Sequence, residues 1–244
     1  MSTSVEAAVT RRSFKQIWLG ATIWSLAFGG TAAASALSYV TTFPTEAARQ
    51  QVAAATSGDA GLSVLLGPTT AIDTVGGYTV YKCFVFLTTI GAIWGLLAAT
   101  KLLRGEEDAG RWQLVLSGST RAARATVATL VALLGAVAIL FVGTTVIVAA
   151  AGRNPDVGFA LSDSVLYGLS IVIAPAVFVM VGAVTSQLCR TRRMASSWAM
   201  GVFGICFFVR MVADAGPDTH WLRWATPFGW VELIQPFTQN DAWP

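Results

Sequence analysis

Five apolar runs constrain this chain more than any other feature. They cover residues 17–40, 79–103, 126–151, 164–188 and 195–212. A helix needs about 20 apolar residues to cross a hydrocarbon core of about 30 Å, and each run approaches or exceeds that length. With no water in the bilayer core, backbone polar groups must bond within the segment, so such runs become helices. Composition agrees: the chain is 55% hydrophobic and only 12% charged, where a soluble domain carries about a quarter charged residues. The expected fold is an all-α integral membrane protein with about five transmembrane helices in a single transmembrane domain over 1–244.

The first run follows Arg11, Arg12 and Lys15 and contains Ala34-Ser35-Ala36, so it resembles a signal peptide as well as a span. Its length and the further spans behind it favour an uncleaved first span. Residues 41–78 read as a loop, with a short surface helix over 46–55 and an apolar patch at 62–66 that dips into the interface or packs on the spans. In the second run Gly91 and Gly95 form a GxxxG pair, which permits close helix approach, here read as ordinary packing. Pro175 falls near the middle of the fourth run, where it kinks the helix for a transport path or for packing alone. The tail, 213–244, holds four tryptophans broken up by prolines, which suits chain lying at the outer membrane–water boundary. His220 reads as an interfacial polar residue. Cys83, Cys189 and Cys206 sit in separate spans without metal-type spacing, and read as inert buried thiols.

Apart from Lys82 and Lys101 at the ends of the second run, Arg210 is the one charge inside a span. It precedes Asp214 by four residues, so an i,i+4 pair or snorkelling accounts for it; a substrate-gating role is the sharper alternative, because intramembrane charges often mark function. Eleven of the sixteen Lys and Arg fall on one side of a five-span topology, at positions 11–15, 101–124 and 190–193. The excess of positives on cytoplasmic loops places the N-terminus and residues 100–124 inside.

That interval, 100–124, is the longest polar stretch between two closely spaced apolar runs. Glu106, Glu107 and Asp108 suit the start of a helix over about 105–118, where carboxylates complement the helix dipole. Ala109, Trp112, Val115 and Leu116 share one face of it. The pattern fits an interfacial linker and a docking helix alike. The wording Leu103-Arg104-Gly105-Glu106-Glu107 followed by Gly110-Arg111-Trp112-Gln113-Leu114, with Gly118 and Arg121, resembles the loop before the third span of type-2 ABC export permeases. The likeness is greatest to the N-terminal half of actinobacterial polyketide-antibiotic exporters. Thr226-Pro227-Phe228-Gly229-Trp230 with Glu232 and Pro236 resembles the segment before that family's sixth span. The resemblance implies a coupling helix docked on a separate ATPase subunit, with Arg104, Glu106, Glu107, Gly110, Arg111 and Trp112 facing the ATPase or bracing the helix. It also implies a second permease half or a homodimer, since family halves have six spans and this chain stops where the sixth would begin.

Nothing in the sequence provides chemistry of its own. None of the three lysines follows a glycine, so there is no P-loop. There is one histidine, no HExxH and no GxSxG, and no basic–aromatic block for nucleic acid. The expectation is therefore no catalytic residue, no metal and no cofactor in this chain, with ATP bound by the partner. The overall expectation is a permease of an ATP-driven exporter of lipophilic or antibiotic-like compounds, associated with efflux and antibiotic resistance, in the bilayer of the bacterial inner membrane. The alternative is a non-transporting membrane scaffold that recruits a cytoplasmic partner.

Overall fold

The computed structural model describes residues 2–56, 60–67, 69–110 and 122–238. Among them the chain is helical, without a strand. Five helices are long and apolar enough to cross a membrane: α1 (Ser2–Thr42), α4 (Val75–Leu102), α6 (Ala122–Gly152), α7 (Leu161–Leu188) and α8 (Arg192–Ala213). Between the first two lie α2 (Glu46–Thr56) and α3 (Ala60–Leu66). A single turn, α5 (Arg104–Asp108), follows α4, and after α8 come a 3-10 segment (Pro217–Ala225) and α9 (Pro227–Ile234). The protein is an all-α membrane protein.

The helices outrun the apolar sequence because caps and polar flanks extend them. α1 begins at Ser2, well before the apolar run starts at residue 17. α4 begins at Val75 because the Thr74 hydroxyl accepts from the Gly77 N–H at 3.0 Å, filling one of the orphan donors of the first turn. α8 is capped in the same way, Thr191 accepting from Met194.

α1 packs chiefly on α6, and α4 on α7, with α6 and α7 in contact between them. Phe28, Leu133, Leu140, Tyr167 and Ile171 fill the centre, each at most 1% exposed. Gly91 and Gly95 lie where α4 crosses α7. A Cβ at Gly91 would stand 2.7 Å from Cγ of Pro175, and one at Gly95 would stand 2.6 Å from the Pro175 carbonyl oxygen. The GxxxG pair and the mid-helix proline are therefore two sides of one contact, which brings the α4 and α7 backbones together.

Two expectations change here. Of the cysteines, only Cys83 is buried; Cys189 and Cys206 are partly exposed. The tail does not simply lie along the surface. Phe228, Val231, Glu232 and Ile234 are buried, and the Phe237 ring stacks on Phe159 with centroids 4.1 Å apart. Trp221 and Trp224 stay exposed, so the tail has one face in the bundle and one face out.

Replacing Gly95 by Val should destabilise the bundle by about 2–3 kcal/mol, near the upper end of typical over-packing penalties, because the new methyls meet a backbone carbonyl that has little room to retreat. Thermal unfolding of the protein in detergent measures this, and Ser197→Val on the exposed side of α8 should leave the transition unchanged.

Candidate functional site

At one end of the bundle the polar interval turns sharply. Leu103 is buried in a cluster with Ala125 and Ala183, which anchors the exit of α4. The next residue, Arg104, opens α5. Its Nε and Nη2 both donate to the Arg190 carbonyl, at 3.0 and 2.5 Å, and its Nη1 donates to the Glu107 carboxylate. Asp108 Oδ2 accepts the backbone N–H of Arg192 at 2.6 Å. Arg192 is the first residue of α8, so this carboxylate complements a helix N-terminus, but that of a helix distant in sequence. Glu106 Oε2 accepts from Arg12 Nη2 of α1 at 3.3 Å. Gly105 allows the approach, since a Cβ there would stand 2.9 Å from Arg192 Cδ.

Of the six residues singled out from sequence, Arg104, Glu106 and Glu107 are thus brought together and bonded within the chain. Gly110 ends the turn with φ +70°, a left-handed conformation that favours glycine. Of the helix expected over about 105–118, α5 supplies the start and ends at Asp108; residues 111–118, with Arg111, Trp112, Val115 and Leu116 among them, lie outside the described residues. Exposed ion pairs of this kind contribute about 0–1 kcal/mol each. Their consequence is positional: α5 is tied to α1 and to the corner between α7 and α8.

The opposite end holds a second charged group, and it is dry. Arg210 has no exposed surface. Its Nε donates to Glu232 Oε1 at 2.6 Å and lies 3.0 Å from Asp214 Oδ2. Its Nη1 donates to the carbonyls of Val64 and Leu65 in α3, at 3.2 and 3.4 Å. Arg223, in the 3-10 segment, donates to Asp214 Oδ1 through Nε at 3.0 Å and Nη2 at 2.8 Å. Two cations and two carboxylates therefore lock α8, α3, the 3-10 segment and α9 to one another. Gly67 closes the group, because a Cβ there would stand 3.2 Å from both Arg210 and Glu232, and its φ is +92°.

The i,i+4 pair expected of Arg210 and Asp214 is present, whereas snorkelling is not: the guanidinium points into protein. The sequence singled out Glu232 only as part of a family motif and did not reveal its bond to Arg210, nor the role of Arg223. The only local signal was two charges in an aromatic, proline-rich tail. Burial pushes the Glu232 carboxyl up from its ordinary 4.5 to about 8; Arg210 opposes the shift, while Asp214 reinforces it.

Two outcomes follow from this network. Arg210→Ala leaves the buried Asp214 and Glu232 carboxyl groups facing one guanidinium, and should destabilise the fold by about 3–5 kcal/mol, as removal of one partner from a buried pair does; unfolding in detergent checks this, with Arg210→Met/Glu232→Leu recovering most of the loss. The second concerns pH. The folded chain holds the Glu232 proton more tightly than the unfolded chain. Its stabilising contribution is thus complete below about pH 4.5 and lost as pH rises through about 8. Melting temperature should fall across that window, and Glu232→Gln should flatten the fall.

The chain matches no curated protein. Residues 47–244, most of the chain, match the family described as "Multidrug efflux system permease Rv1217c, C-terminal domain". That description names a C-terminal domain, a different half from the one the sequence likeness pointed to. The match takes in both charged ends of the bundle and four of the five long helices, and the chain belongs to this family of multidrug efflux permeases.

Proposed function

We propose that the chain is the membrane-spanning permease subunit of an ATP-driven (ABC) exporter of lipophilic or antibiotic-like compounds. It resides in the plasma membrane with the α5 end in the cytoplasm. A separate ATPase subunit binds and hydrolyses ATP, and a second permease half or a second copy of the chain completes the transporter.

The bracing of α5 carries this reading. Force applied to a loose interfacial linker would dissipate in the headgroups. Force applied to α5 has a direct path into α1 through Glu106–Arg12, and into the α7–α8 corner through Arg104–Arg190 and Asp108–Arg192. Movement of a docked partner is then shared by three long helices. A broad apolar groove of about 790 Å3 lies between α7 and α8; its size and lining suit drug-sized lipophilic molecules. Glu107, still partly exposed beside Arg104, supplies charge that a docking partner reads, and Arg111 follows it four residues later in the sequence.

Co-purification with a co-expressed ATPase subunit, together with ATP turnover, tests the proposal. Glu107→Lys and Arg111→Glu should each weaken co-purification at least about tenfold, because like charges set against each other at an interface cost several kcal/mol. Arg104→Gln should leave binding in place and abolish stimulation of hydrolysis by substrate, since it cuts the brace and not the dock. Failure of any ATPase to bind would overturn the coupling and leave a non-transporting scaffold.

A further inference from the structure

The groove between α1 and α4 is built differently from the rest of the bundle's flank. It holds about 550 Å3 and runs along the part of both membrane-spanning helices nearest α5, over residues 16–24 of α1 and 90–102 of α4. Its walls are apolar over Ile17, Trp24, Ile90 and Trp94, and Gly20 leaves the wall open in front of the Trp94 ring. At the end nearest α5 the walls change to Gln16, Lys101 and Arg192. Lys101 and Arg192 are exposed, and among the described residues neither side chain pairs with an acid. The neighbouring carboxylates are otherwise engaged: Glu106 pairs with Arg12, Glu107 with Arg104, and Asp108 with Arg104 and the Arg192 backbone.

We infer that this groove is a binding site for an anionic phospholipid. The occupant comes from the bilayer, because the groove opens sideways along two membrane-spanning helices. It is anionic, because the polar end offers two cations and, among the described residues, no acid. Trp94 lies seven residues before Lys101, roughly 10 Å deeper at 1.5 Å per residue, so the ring meets acyl chain while the Lys101 ammonium reaches the headgroup level. A phosphate there sits between Lys101 and Arg192, and one acyl chain lies against Trp24 and Trp94. The Arg192 stem crosses Gly105, which places the headgroup directly beside α5. The inference does not depend on whether the protein exports anything.

Brominated phospholipids test it, since bromine on the acyl chain quenches nearby tryptophan. The full chain in neutral detergent is titrated with brominated phosphatidylglycerol and, separately, brominated phosphatidylcholine. The glycerol lipid should quench at lower concentration, and Trp94→Phe should reduce the quenched signal. Lys101→Gln and Arg192→Gln should each weaken that preference about fivefold, the effect of one basic residue near an anionic surface. Gly20→Leu should block the groove with no change of charge; a Cβ there meets Trp94 Nε1 only at 3.9 Å, so the bundle tolerates it. Arg193→Gln, exposed outside the groove, should change nothing. Equal quenching by the two lipids, unchanged binding in Gly20→Leu, or an equal loss in Arg193→Gln would overturn the site and leave ordinary boundary lipid.

Discussion

In hydrocarbon a backbone amide has no water to turn to, and the long helices of this chain meet that constraint within themselves. Several hydroxyls inside the spans follow the same logic. Thr79 donates to the Val75 carbonyl at 2.7 Å, Thr88 to Phe84 at 2.8 Å, and Ser186 to Gly182 at 2.7 Å. Each folds its polarity back onto its own helix one turn earlier. The spans therefore meet through shape, and the directed polar chemistry is left to the two ends.

Those ends solve opposite problems. The α5 end is partly hydrated, so its ion pairs carry little energy and its bonds to backbone groups carry geometry instead. The Arg210 end is out of water. There the charges are expensive to desolvate, and the group holds together only because each guanidinium faces more than one acceptor. The bundle is therefore asymmetric, with one end locked by buried charges and the other tied to a short, partly exposed turn.

Between the ends, packing is set by small residues against an irregular partner. Gly91 and Gly95 give α4 a flat strip, and Pro175 fills it with a ring and with a carbonyl of the proline turn. Neither element explains the close approach alone: a GxxxG strip facing a bulky ridge would hold the helices apart.

How much of this could be read from the residues depends on the distance over which each interaction acts. Span number and helical class followed from composition and length, because the bilayer imposes one requirement on every apolar run. Arg210 with Asp214 was legible for the same local reason, one helical turn separating them. Glu232 and Arg223 were not: they reach Arg210 and Asp214 only after the tail folds back, and the tail's tryptophans and prolines read equally well as a surface strip. Likewise the acidic run 106–108 announced a charged turn, but Asp108 meets Arg192 from 84 positions away in the sequence. The sequence by itself determined which segments enter the membrane and which end collects the positive charge. Only the tertiary structure decided which charges are buried, which carboxylate caps which helix, and where two cations stand over an apolar groove, because those facts depend on contacts between segments that no local pattern encodes.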